Sequence, residues 1–191
     1  MKKNFLKPNN PRLRRVAEEI PRDQINSAAT KKIIETMLKV AYGEQKDQSK
    51  PVMVGLAAPQ IGITKRIILV DVKANGKGKV GDPRLYINPK IIWKSKEKGE
   101  WYEGCYSTGR ICGIISRSIT IKVQAANLKT PEKWTGYIAR IFQHEIDHLD
   151  GKLFHDHIKN PDHLHWVEEN EFPLYRNKEA WRNWPKKVNV P

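Results

Sequence analysis

Between positions 136 and 149 the apolar residues Ile138, Ile141, Phe142 and Leu149 recur at a helical spacing, and Asp150-Gly151 supplies a stop signal. The same stretch carries His144-Glu145-Ile146-Asp147-His148. A helix there has to bury an apolar face while holding two histidines four residues apart, one above the other. Both imidazoles can then turn a nitrogen toward one cation, with Glu145 flanking it but not binding it. A glutamate so placed can take a proton from water on a metal, which is the chemistry of metal-assisted hydrolysis. Two inert, hydrogen-bonded histidines are the plainer alternative. The metal-binding spacing with a glutamate between them favours the site.

A pair of histidines needs a third protein ligand, and the residues offer two. One is Cys105, in the island Glu103-Gly104-Cys105-Tyr106-Ser107. The other is Glu168, downstream at the separation used by zinc endopeptidases of the thermolysin type. The four later histidines, His155, His157, His163 and His165, are two residues apart in pairs. On a helix that spacing points side chains away from each other, so solvated or capping roles are expected.

With 191 residues, 39% apolar and 29% charged, the chain suits one globular domain with a real core. No apolar run approaches bilayer length, and the basic N-terminus has no apolar stretch behind it, so neither a membrane span nor a secretory signal is expected. A cytoplasmic protein follows. Two cysteines, Cys105 and Cys112, are too few for a disulfide framework and fit a reducing compartment. The formal net charge of +14 implies a field that draws polyanions, although no helix-turn-helix or RNA-binding signature accompanies it. Sequence-specific nucleic-acid recognition is therefore not expected. Nothing in the sequence speaks to oligomeric state.

Helical periodicity at Ile33, Ile34, Met37, Leu38 and Ala41 predicts a helix over 25–42, followed by a polar linker at 46–50 closed by Pro51. The small residues of Gly55-Leu56-Ala57-Ala58-Pro59-Gln60 predict a loop or a short extended piece. Strands are expected at 66–72, at 85–93 with a break at Pro89, and at 118–125, where Ile119, Ile121 and Val123 alternate with polar residues. Gly76-Lys77-Gly78-Lys79-Val80-Gly81 matches a dinucleotide fingerprint in letters only. Asp82-Pro83 leads into another strand instead of the helix that such a fingerprint requires, so a loop is expected. Strands first and a helix late predict an α+β fold, with antiparallel or mixed sheets packed around a central metal-binding helix.

Three islands in this order, Gly55 to Gln60, Glu103 to Ser107, and Gln143-His144-Glu145-Ile146-Asp147-His148, resemble peptide deformylase. The likeness runs from about Pro11 to Phe154 and includes the Pro11-x-Leu13-Arg14 start, Ile87-Asn88-Pro89, and Arg117. It implies that Cys105, His144 and His148 bind one divalent ion, Fe(II) in cells, with nickel, cobalt or zinc able to substitute. It implies that Glu145 is general base and then acid, and that Gln60 and the Tyr106 backbone N–H hold the oxyanion. Gly55 and Gly104 would pair with an extended peptide, Val54 and Ile141 would line a methionine pocket, and Glu103 with Arg117 would orient the cysteine loop. The implied reaction removes the formyl group from the N-terminal methionine of new polypeptides and releases formate. The competing classes are an endopeptidase using Glu168 and a deformylase-like binding protein without turnover.

Three departures stand against the family pattern. Met53 replaces the usual glycine two residues before Gly55, Tyr106 replaces a small aliphatic residue, and Thr108 to Gly113 is irregular. Cys112 is expected as a buried thiol, with a second sulfur near the metal as the alternative. Beyond the catalytic unit at 1–160, residues 161–191 read as a basic tail with Trp166, Trp181 and Trp184. That tail is the sequence's best candidate for contact with the ribosome.

Overall fold

The computed structural model describes residues 5–43, 53–76 and 81–188. The expected linker at 46–50 with Pro51, the middle of the glycine-rich 76–81 segment, and both extreme termini lie outside them.

Helix α1 (Ala28–Tyr42) begins three residues later than the periodicity suggests. Ser27 sets the start: its hydroxyl accepts the Thr30 N–H, supplying one of the acceptors that a helix N-terminus lacks. Gly43 ends the helix at φ 61°, a left-handed value that glycine adopts without Cβ strain. Residues 55–60 divide into strand β1 (Gly55–Ala57) and a 3-10 turn (Ala58–Ile61).

Strand β2 (Ile67–Asp71) is buried along its whole length. The expected 85–93 strand is two strands, β3 (Pro83–Ile87) and β4 (Lys90–Lys94), in different sheets. The break comes one residue before Pro89, at Asn88, whose φ is 50°. Its side-chain amide holds that strained turn by accepting from the Ile20 N–H and donating to the Ile20 carbonyl, at 2.9 and 2.8 Å. Four further strands have no counterpart in the sequence reading: β5 (Lys98–Gly104), β6 (Ile111–Ser118), β8 (Glu132–Thr135) and β9 (Leu164–Trp166). β7 (Thr120–Gln124) falls inside the expected 118–125.

These strands form three antiparallel three-stranded sheets, ordered β1-β2-β3, β4-β7-β8 and β5-β6-β9. Helix α2 (Gly136–Leu149) matches the expected 136–149. Its Ala139, Ile141, Phe142, Ile146 and Leu149 share one core cluster with Ile68, Val70 and Tyr86 of the first sheet and Ile121 and Val123 of the second. The fold is α+β, with α2 wedged between sheets.

From 161 on the chain is built onto β6 through β9, and two short helices follow, α3 (Phe172–Tyr175) and α4 (Lys178–Arg182). Tyr175, Trp181 and Trp184 are buried in a cluster with Cys112, Ile114 and Val167, and Trp101 and Tyr102 of β5 pack on it. Two of the three tail tryptophans are thus core residues, and only Trp166 is exposed. The indole N–H groups explain why burial is tolerated: Trp181 donates to the Tyr175 carbonyl and Trp184 to the Trp166 carbonyl.

Candidate metal centre

Cys105 comes off the end of β5 and caps the 3-10 turn Tyr106–Thr108, accepting the Ser107 N–H at 3.4 Å. β5 is held by seven residue pairs along β6, so the loop that carries the sulfur springs from a fixed base. Opposite it, α2 presents His144 and His148 one turn apart, their rings 5.0 Å between centroids. The Cys105 sulfur lies 3.3 Å from His148 Nε2, and candidate ligand atoms of Cys105, His144 and His148 all fall within 4.8 Å of one another. His144 Nδ1 is 2.9 Å from Glu103 Oε2, which fixes the ring and leaves Nε2 as the nitrogen free to face an ion.

One soft thiolate and two imidazoles fit a divalent ion such as zinc or iron, with room in a tetrahedral arrangement for a further ligand. The electrostatics favour a thiolate: burial works against ionisation, but the neighbouring His148 and His144 outweigh it and hold the Cys105 thiol well below its ordinary value. Cys112 differs. Burial pushes its thiol up to about 12, so it stays protonated. Its sulfur lies under Gly104, where a Cβ would come within 2.8 Å of it. That is a packed thiol beneath the cysteine loop, as expected.

Glu103 is buried, and burial alone would keep it neutral. Paired hydrogen bonds from Arg117, the Arg117 charge and His144 reverse this and hold the carboxyl well below the usual carboxylate range. Arg117 reaches it through Nε and Nη2, at 2.9 and 2.8 Å, and sends Nη1 to Asp147 at 2.5 Å. Arg140 adds a third donor at 2.8 Å and also bonds the Ile115 and Gly99 carbonyls. Asp147 in turn accepts from Arg117 and lies 2.8 Å from His157 Nε2. Sequence reading missed Arg140, Asp147 and His157. Arg140 had a signal, since it sits one turn before His144 on a helix face otherwise committed to burial.

Glu145 is buried, and among the described residues its Oε2 has no hydrogen-bond partner. Burial, opposed by His144 and His148, pushes its carboxyl up to about 7. Gly55 lies directly against it: a Cβ there would sit 2.3 Å from Glu145 Oε1 and 2.8 Å from Ile141 Cγ2. Val54, beside Gly55, is half-buried against the same core as the buried Ile141. Gln60 is buried at the end of the 3-10 turn. Its Oε1 accepts the Ala57 N–H at 2.8 Å, and this turns Nε2 toward the Cys105 sulfur (3.2 Å) and Ser107 Oγ (3.4 Å). Tyr106 turns its ring outward onto Phe5, 4.9 Å between centroids. Glu168 is elsewhere, accepting from Trp166 Nε1 at 2.7 Å and facing Arg110. It is not brought to the cluster.

An α+β protein with a half-buried thiolate against two imidazoles, beside a buried carboxyl raised toward neutrality, belongs to the class of metal-dependent hydrolases. The sequence profile of polypeptide deformylase matches residues 2–163, and the chain belongs to that family. It is similar to peptide deformylase 2 of Bacillus cereus, 36% identical with 91% of this chain and 98% of that protein covered. It is also similar to peptide deformylase of Erythrobacter litoralis, 31% identical, covering 82% and 89%. Among solved structures, a class I type b peptide deformylase from Acinetobacter baumannii superposes with a TM-score of 0.71 at 28% identity, covering 81% of this chain and 98% of that one. Among the described residues no helix is long and apolar enough to cross a membrane.

Proposed function

We propose that this chain removes the formyl group from the N-terminal methionine of newly made polypeptides, and that Cys105, His144 and His148 hold the divalent ion on which the reaction depends. Among the described residues this is the one grouping of cysteine, histidine and carboxylate side chains compact enough to hold an ion. That juxtaposition, with the Glu145 carboxyl beside it, carries the reading. The soft donor set suits Fe(II) in the cell and accepts nickel, cobalt or zinc. When bound, the ion polarises the formyl carbonyl and brings water within reach of deprotonation near neutral pH.

The chain's own groups do the rest. Glu145, raised to about 7, is tuned to accept a proton from water and pass it to the departing amine. Gln60 Nε2, already turned toward the Cys105 loop, and the Tyr106 N–H on that loop would hold the negative charge that develops on the formyl oxygen. β1 and β5 are both edge strands, so Gly55 and Gly104 offer unpaired backbone for an extended peptide to join as a strand. Val54 and Ile141 give the methionine side chain an apolar wall. Glu103 and Arg117 keep His144 and the cysteine loop in register. An Acinetobacter baumannii relative has been crystallised with Met-Ala-Ser bound, a tripeptide of the product type.

We place the catalytic unit at 1–160, because every group named here falls within it and the family profile ends at residue 163. Its substrates are nascent chains, which puts the protein in the cytoplasm and its net charge of +14 beside ribosomal RNA. The deciding experiment is formate release from formyl-Met-Ala-Ser by the metal-loaded protein. Cleavage of internal peptide bonds without formate would hand the site to an endopeptidase, and tight binding without turnover would leave a binding protein.

A further inference from the structure

The outer face of the β4-β7-β8 sheet sets lysines beside exposed apolar side chains. Across it Trp93 of β4 pairs with Lys122 of β7, and Lys122 pairs with Lys133 of β8. Residues directly opposite in antiparallel strands project from the same side, so these three form one row across the sheet. Ile121 and Val123, on either side of Lys122, point into the core with α2, and all three members of the row are exposed, Trp93 to 48%. The neighbouring rows on this face are Lys90 with Gln124 and Thr120 with Thr135. Among the described residues none of the three strands itself places a carboxylate on this face, and the one acidic partner at its edge is Glu19, 2.7 Å from Lys90. Ile92, at the β-bulge in β4, adds a second exposed apolar side chain.

Edge lysines that guard against strand aggregation are the ordinary explanation of such charge. They would sit on β4 and β8. Lys122 does not fit, because it is on the central strand, directly opposite another lysine, where like charges cost stability. A sheet that sets two lysines at directly opposite positions beside an exposed indole is complementary to a ligand with regular negative charge and flat apolar rings. The tail is less suited. Lys186 and Lys187 are paired with Glu171 and Asp162, Lys178 lies over Trp101, and Trp181 and Trp184 are buried.

We propose that this face docks RNA in a sequence-tolerant way, Trp93 stacking on an exposed base while Lys122 and Lys133 contact the phosphates. The proposal rests on the ribosomal encounter inferred above and moves its contact from the tail to the sheet. The opposite face of the sheet packs on the helix that carries the histidines, so the substrate's path need not be covered.

The test uses the full metal-loaded chain, a fluorescein-labelled oligouridylate and isolated large ribosomal subunits. Lys122→Glu/Lys133→Glu should weaken oligouridylate binding at least ten-fold and lower the salt slope by roughly one to two. Trp93→Ala should weaken it roughly five-fold or more with the salt slope unchanged. Formate release from formyl-Met-Ala-Ser and thermal unfolding should stay as in the parent protein. Unaltered RNA binding in these variants, or loss instead on replacing two arginines of the tail, Arg176→Ala/Arg182→Ala, overturns the face as the site. If subunits still co-sediment with the sheet variants, the ribosomal reading stands and this face falls. If the parent protein does not co-sediment at low salt, both fall. Binding to phosphatidylserine vesicles but not to RNA would make the patch a membrane contact and overturn the proposal.

Discussion

The cysteine loop is supported from two sides by different physics. On the side of α2, Glu103 gathers Arg117, Arg140 and His144, and Arg117 ties Asp147 into the same network. On the other side of β5 and β6 stand Tyr102, Tyr175, Trp181, Trp184 and Cys112, joined by apolar contact, edge-on rings and few polar bonds. The first support consists of buried charges that satisfy one another, so removing one member strands the others. The second consists of area and shape, which are lost in proportion to what is removed. The chain thus places an all-or-none device beside the candidate ligands and a graded one behind it.

The largest effect is expected at the ligands themselves. Cys105→Ala should abolish stable metal retention, whereas Glu168→Ala should leave it intact, as elemental analysis of purified variants will read. Metal lost only from the Glu168 variant would return the site to the endopeptidase design. Next, Glu145→Gln should retain its metal while turnover falls by roughly two to four orders of magnitude. Normal turnover in that variant would remove Glu145 from the proton path.

The two supports can then be set against each other. Glu103→Ala leaves two buried arginines short of their carboxylate and should cost about 3–5 kcal/mol by denaturant unfolding. It should also loosen metal binding by roughly 10- to 100-fold, since His144 loses the group that orients its ring. In the aromatic cluster, Tyr175→Phe removes only a hydroxyl from His165 Nδ1, 2.8 Å away, and should cost about 1–3 kcal/mol with metal affinity unchanged. A Tyr175 variant that loses metal as readily as the Glu103 variant would erase the distinction between the supports. The smallest effect is expected at Tyr106→Leu. Loss of the stack on Phe5 should relax discrimination against bulky inhibitors in competition assays while metal content stays constant. Identical preferences before and after would exclude the ring from selectivity.

What the sequence showed best was whatever depends on local spacing. The helix over 136–149 was readable because its apolar positions and its histidine pair share one period, and β2 because it opens on the apolar run Ile67 to Val70. β5 and β6 were not readable. β6 is covered on both faces, so its buried residues run together without alternation, and β5 mixes Trp101 and Tyr102 with charged neighbours. The break at Asn88 was missed because Pro89 is the stronger signal, although the chain reverses at the residue before it. The burial of Trp181 and Trp184 in a basic tail was not readable, since the sheet that buries them lies some seventy residues earlier in the chain.

The sequence by itself determined the ingredients of the centre, the helix that carries two of them, and the family to which they are similar, because those follow from residue type and short-range period. The tertiary structure alone decided that Cys105 and not Glu168 approaches the histidines, that Arg140 joins Glu103, that Gly55 leaves room for Glu145, and that Trp93 lies opposite Lys122. Each of these depends on strand register and sheet packing between segments far apart in the chain, where a shift of one residue would turn the same side chains to the opposite face.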